Sequence, residues 1–188
     1  MIRAVLLAAA FLAASPAGVA AGDGRFAAND VDFLNLIGNR EGYRGYGTVS
    51  DYAPAIPDEV LTGMTISEVL DFQQGLLDQG TRSTAVGRYQ FIRETLLRLV
   101  EEHGIGRDLL FDEEIQTYLA RILMRDCGFY DPEAGIVPLG NCLAGTWAAL
   151  PMLSGPKAGL SAYHGDGLNH HAVAVETFAT VLDTRFLW

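Results

Sequence analysis

Apolar residues that recur every three or four positions, interrupted by runs of Gly, Pro, Asp and Tyr, constrain the fold of this 188-residue chain more than any other feature. One such pattern runs from Asp30 to Arg40, with Phe33, Leu34 and Ile37 on one face and Asn29 and Asp30 offering N-cap chemistry. A second follows the capping box Thr65-x-x-Glu68, with Ile66, Val69, Leu70 and Leu77 inward. A third covers Phe91 to His103 and stops at Gly104. A fourth begins near Asp112 and turns Ile115, Leu119, Ile122 and Leu123 to the core. The fifth surrounds "CLAGTWAAL", and the sixth runs from Asn169 to Thr184. Strand signals are poor. Residues 42–57 and 79–87 break into turn-forming residues, which suits irregular segments or a small hairpin. The expectation is a predominantly helical α+β domain with loop-rich walls along one side of a groove.

Within this pattern, the stretch "GNREGYRGYG", residues 38–47, sets Glu41 in the last turn of the first helix. The negative end of the helix dipole disfavours a carboxylate there and pushes its pKa upward. An acid placed against local preference is either an accident of a solvated surface or a group meant to hold a proton.

The N-terminus opens with Met1-Ile2-Arg3, continues as "AVLLAAAFLAA" and ends in small residues. This is the pattern of a cleavable secretory signal over residues 1–21, too short to span a bilayer. Residues 22–188 then suffice for one domain with a sizeable core. The expected location is periplasmic or secreted, with no stable membrane insertion after cleavage. A formal net charge of −10 and the lack of any basic stripe argue against nucleic acid as a partner. The chain has two cysteines, Cys127 and Cys142, and an exported chain with an even count predicts a disulfide between them. Without nearby histidines they make no zinc site. In "HGDGLNHH", His170 and His171 are adjacent and point apart, so together with His164 they make poor joint ligands, and Asp166 between glycines equally forms a turn. Neither a metal nor a cofactor is expected.

Three stretches invite joint reading: "REGY" at 40–43, "VGRYQF" at 86–91 and "SAYHGDGLN" at 161–169. Each pairs a glycine, where a ligand or another backbone can approach closely, with a tyrosine whose flat face and hydroxyl suit a sugar ring. Glu41 supplies a proton, Gln90 offers a donor and an acceptor to an acetamido group, and Tyr43, Tyr89 and Tyr163 offer stacking and hydroxyl bonds. Trp147, at apolar helical spacing, reads as core.

These residues resemble the lysozyme-like lytic transglycosylases and phage endolysins, and within that group the phage-lambda-type endolysins. The resemblance rests on Glu41-Gly42, then Gly87-Arg88-Tyr89-Gln90, then Trp147-Ala148-Ala149-Leu150-Pro151, in the order of the family's motifs. "LTGMTISEVLDFQ", residues 61–73, looks like a segment of related bacterial and phage proteins. The wider superfamily carries an Ala-Tyr-Asn-Ala-Gly stretch, which here reads Ala162-Tyr163-His164-Gly165, with His164 in place of the Asn. The likeness spans residues 30–185. It implies a lysozyme-like domain with a cleft between a helical lobe and a small loop- or hairpin-rich lobe, and peptidoglycan glycan strands as the partner. It further implies cleavage of the bond between N-acetylmuramic acid and N-acetylglucosamine by one glutamate, Glu41, giving a 1,6-anhydro product, with Gln90 and Tyr163 positioning acid and sugar. A single well-placed acid fits that route better than the two-carboxylate hydrolytic one. A hydrolytic muramidase, aided by Asp51, and an inactive peptidoglycan-binding protein are the alternatives. The partner machinery, whether of secretion, appendage assembly or lysis, is not legible in the sequence.

Overall fold

A computed structural model describes residues 29–187; the expected leader, residues 1–21, lies outside them. Among the described residues the chain forms six α-helices: α1 Asp30–Arg40, α2 Ile66–Asp78, α3 Arg93–His103, α4 Glu113–Asp126, α5 Ile136–Thr146 and α6 Val175–Asp183. Two 3₁₀ turns, Leu61–Gly63 and Thr184–Phe186, complete the regular structure. The β component is slighter than the α+β expectation. It consists of isolated bridges, among them Val49 to Val86, Val86 to Phe91 and Pro151 to Ser161. None of the helices is long and apolar enough to cross a membrane.

Local chemistry fixes the helix ends. Thr65 and Glu68 close a reciprocal capping box on α2, with the Glu68 carboxylate accepting from the Thr65 N–H at 2.7 Å. Asp112 caps α4 by accepting from the Ile115 N–H at 2.9 Å, and such caps are each worth about 1 kcal/mol. α3 ends at Gly104 in the left-handed conformation.

Three expected helices have different bounds. α3 begins at Arg93, because Phe91 is bridged to Val86 and Ile92 is extended as the N-cap. α5 lies earlier than "CLAGTWAAL" and stops before Trp147, whose extended backbone turns its indole toward the rest of the fold. α6 begins at Val175, because the N–H groups of Leu168 and Asn169 go to Asp166 and those of Ala172 and Val173 go to the Ala149 carbonyl. Leu77, expected inside, is exposed. It shares the apolar face of α2, but at the end where that face opens onto a cavity wall.

The core is a single apolar cluster. Phe33 of α1 packs against Phe129, Trp147 and Phe178, with ring centroids 5.1, 5.9 and 6.3 Å apart. α5 packs on α6, α6 on α1, and α2 on α3. Buried polar groups tie these parts together. Asp30 receives Arg121 at 2.7 Å and the Tyr130 hydroxyl at 3.1 Å. Arg185 donates to the carbonyls of Phe129, Asp131, Ala134 and Leu182, fastening the C-terminal turn to the segment after α4. Gln73 donates to the carbonyls of Thr84 and Phe91 from inside α2.

Cys127, the C-cap of α4, and Cys142 of α5 are bonded, with Cα atoms 5.5 Å apart and a sequence separation of 15. Closing a loop of that length removes unfolded-state entropy worth about 3 kcal/mol. Replacing both cysteines by serine is expected to lower the unfolding free energy by roughly that amount in a urea titration. In the intact protein, thiol alkylation is expected only after reduction. Two thiols labelled without reductant would refute the bond.

Candidate functional site

Glu41 is the C-cap of α1, its own N–H returning to the Ile37 carbonyl at 2.8 Å. Its side chain is half-buried on the wall of a cavity, and one carboxyl oxygen accepts the main-chain N–H of Ala149 at 2.9 Å. Ala149 lies just past α5, so this bond joins residues 108 positions apart. Burial of the carboxyl raises its pKa above the ordinary value; the Ala149 N–H and the charge of nearby His170 pull more weakly the other way. The expected direction of shift is therefore present. Its main cause is desolvation, where the sequence pointed to the helix dipole.

The glycine after Glu41 is dictated by packing. A Cβ on Gly42 would stand 2.4 Å from the Arg88 carbonyl oxygen and 2.6 Å from the Arg88 Cα, so only glycine admits that backbone. Arg88 belongs to a tight turn, Gly87 to Gln90, closed by paired main-chain bonds between Val86 and Phe91 at 2.9 and 3.1 Å. Gln116 of α4, fully buried, braces the turn by accepting from the Arg88 N–H and donating to the carbonyls of Tyr46 and Phe111. A Cβ on Gly87 would stand 2.4 Å from the Gln116 amide oxygen. On the other side of the turn, the buried Trp147 indole N–H donates to the Tyr89 carbonyl at 3.1 Å. The three separate motifs of the sequence thus meet: Gly42 lies on Arg88, Trp147 holds Tyr89, and Ala149 holds Glu41.

A cavity of about 630 Å³ opens beside this junction and is lined by Glu41, Tyr89, Gln90, Trp147 and Tyr163, among others. Gln90 is the single non-glycine residue with positive φ among the described residues, at 48°. Its amide nitrogen donates to the Gly87 carbonyl at 2.8 Å. The Tyr163 hydroxyl donates to the Gly145 carbonyl, which leaves the ring on the cavity wall. Tyr89 lines the cavity but buries its hydroxyl against Thr117 at 3.3 Å, and desolvation pushes its pKa up to about 12. Tyr43 does not join this group. It is 64% exposed, lies outside the cavity lining, and accepts a bond from Arg44 through its hydroxyl. His164 is exposed and is also absent from the lining.

The far wall is a strap formed by residues 163–169. Asp166 gathers the N–H groups of Leu168 and Asn169 and the Asn169 amide, which hold its carboxyl down at about 2, and so acts as a turn former. The Tyr52 hydroxyl reaches the Leu168 carbonyl, and Arg82 reaches the Gly167 carbonyl at 3.2 Å, fastening the strap to the opposite loops. Asp51 also lines the cavity, paired with Arg44 at 2.7 Å. Among the described residues no group of three His, Cys, Asp or Glu side chains is arranged to hold a metal ion.

Sequence reasoning missed the Ala149 N–H, since a backbone donor leaves no side-chain signal, and it also missed Gln116, which sits on the buried face of α4. Set beside known proteins, the chain matches no family model, no curated protein and no solved structure.

The raised pKa of Glu41 makes a prediction about stability. Below the ordinary carboxylate value Glu41 is protonated in both folded and unfolded chains. Between that value and the raised one, the folded state keeps a proton that the unfolded state has lost, so its contribution falls as pH rises. Glu41→Gln removes this dependence while its amide oxygen still accepts from Ala149. The variant is expected to gain stability relative to wild type across that window and to level off above it. Urea titrations of both proteins over a pH series check this; a constant difference from the carboxylate range to neutrality would refute it.

Proposed function

We propose that this protein is a peptidoglycan lytic transglycosylase of lysozyme-like fold. On this reading the cavity is a cleft between the helical body and the loop-rich wall, and the protein acts in the periplasm or outside the cell. The carrying observation is a carboxyl group kept prone to hold its proton by burial, fixed by one main-chain N–H, and set where three separated motifs converge on a cavity. The disulfide agrees with an oxidising compartment.

In this mechanism Glu41 gives its proton to the glycosidic oxygen as the bond to the muramic anomeric carbon breaks, and N-acetylglucosamine leaves. The carboxylate, now ionised in a poorly solvated place, takes the proton from the muramic 6-hydroxyl, whose oxygen closes on the anomeric carbon. One residue serves as acid and then base, and the internal nucleophile avoids most of the entropy cost of recruiting water. Gln90 and Tyr163 orient the sugar, with the Tyr89 ring as a wall. The Ala149 N–H keeps the carboxyl aimed during both transfers.

Asp51 favours a second reading, hydrolysis by a muramidase, because it lines the same cavity. One of its carboxyl oxygens is already engaged by Arg44, so the transglycosylase reading is preferred.

Glu41→Gln is expected to keep the fold and lose turnover on purified sacculi by roughly 10²- to 10⁴-fold, the usual worth of a general acid. Mass spectrometry of the fragments released by wild type is expected to show 1,6-anhydro-muramic ends, lighter by one water than hydrolytic products. Reducing ends would favour the muramidase. Undiminished cleavage by Glu41→Gln would end the mechanism.

A further inference from the structure

Two glycines bracket Glu41, Gly38 within α1 and Gly42 directly after the acid, and a single residue, Arg88, covers both. Gly42 rests on the Arg88 backbone, whereas Gly38 is buried under the Arg88 side chain. A Cβ on Gly38 would stand 2.4 Å from the guanidinium Nε, 2.6 Å from Cζ and 2.9 Å from Cγ. The Arg88 Nη2 also donates to the side-chain oxygens of Asn35 and Asn39 at 3.4 and 3.3 Å, and Cζ stands 5.5 Å from the Tyr46 ring centroid. Asn35, Gly38, Asn39 and Gly42 recur at the three-to-four spacing of one helix face. Arg88 thus grips the C-terminal half of α1 along one flank.

That grip bears on the acid because Glu41 keeps a helical backbone, at φ −84° and ψ −53°, in register with the buried Leu34 and Ile37 on the neighbouring face. Any rotation of α1 about its axis therefore carries the carboxyl with it. At about 5 Å from the axis, a rotation of roughly 10° displaces the carboxyl by about 1 Å, an error that can cost about 10²-fold in rate. Two faces held at an angle resist such a rotation better than the apolar face alone. The turn that carries Arg88 is braced by other bonds: the Arg88 N–H goes to the Gln116 amide oxygen at 2.9 Å, and Val86 and Phe91 close the turn through their main chains. The turn therefore does not need the guanidinium, and the helix does.

Resting on the peptidoglycan reading above, we infer that Arg88 is a positioning residue: its guanidinium fixes the rotation of α1 and so keeps the Glu41 carboxyl on the Ala149 N–H and aimed at the glycosidic oxygen. Gly38 belongs to the same device, since only a residue without a Cβ lets the arginine lie on the helix.

The Ala149 amide proton reports the contact directly, because its NMR shift follows ionisation of the carboxyl to which it is bonded. Shift titrations over a pH series are recorded for wild type, Arg88→Ala, Arg88→Lys and Gly38→Ala, with Glu41→Gln as the control that shows no step. Melting temperatures, and kcat and KM on soluble glycan strands, are measured beside them. Arg88→Ala is expected to lose most of the Ala149 step and to lower kcat roughly 10- to 100-fold with KM unchanged. Gly38→Ala, which displaces the arginine, is expected to do the same while its melting temperature holds or rises, because alanine is the better helix former. Arg88→Lys is expected to fall between, since it keeps charge without the planar group. A full Ala149 step in both Arg88→Ala and Gly38→Ala overturns the inference, as does a lost step with kcat unmoved, or a wild type without any step. Should Arg88→Ala also melt early, Gly38→Ala decides: a lost step and lowered kcat in a protein as stable as wild type sustain the inference, and unchanged values mark the arginine as structural and overturn it. A wild type that cleaves no glycan strand ends the peptidoglycan reading, while the Ala149 step still decides whether Arg88 holds the carboxyl in place.

Discussion

The bond from the Ala149 N–H to the Glu41 carboxyl is the contact on which the rest of the site depends. For Ala149 to reach Glu41, α5 must end at Thr146 and the chain must turn sharply through Trp147. For Glu41 to be reached, α1 must end there with its apolar face already fixed by Phe33 against Phe129, Trp147 and Phe178. The Ala149 carbonyl meanwhile receives Ala172 and Val173 at 2.8 and 3.2 Å, which positions the strap that bounds the cavity. One peptide residue therefore sets both the acid and the wall facing it. A main-chain donor suits this role, because it is held by the fold and loses no rotamer freedom in making the bond.

Burial and hydrogen bonding act on Glu41 in opposite directions, and their balance matters chemically. A carboxylate given several N–H donors would be stabilised as the anion and would keep no proton at neutral pH, as Asp166 illustrates with the three bonds it accepts and its lowered pKa. Glu41 has one such donor and is otherwise poorly solvated, so it is oriented without being over-stabilised as an anion. Two acids of one fold thus differ in what they can do because one is desolvated with a single donor and the other is solvent-exposed among three.

Much of the helical frame was legible. The bounds of α1 follow from spacing, although Asn29 makes no side-chain cap bond, and the caps Thr65 and Asp112 follow from capping chemistry, which is local and strong. The elements that were misjudged are those where a distant partner decides. Trp147 leaves the helix pattern to donate to Tyr89, and the segment before α6 leaves it with the Asn169 N–H taken by Asp166 and those of Ala172 and Val173 by Ala149. At the site, Glu41 was legible as an acid placed against local preference, and Gln90 and Tyr163 as parts of glycine-bearing motifs lining one cavity. Tyr43 carried the same signal and faces elsewhere, since side-chain direction in an irregular segment depends on contacts that spacing does not encode. The role of Gly42 was legible only in kind: a close approach was expected, and its partner, the Arg88 backbone, lies in another motif.

Gln90 holds a backbone conformation that glycine adopts without steric cost and that a side chain makes unfavourable by about 1 kcal/mol or more. Its amide bonds back to Gly87 and so recovers part of that strain locally. Thermodynamic optimisation of the fold alone would place glycine here, and it would also erase the one amide that the turn presents to the cavity. On the proposed reading, stability and function compete at this position, and a search for more robust variants would be drawn toward the substitution that most impoverishes the site.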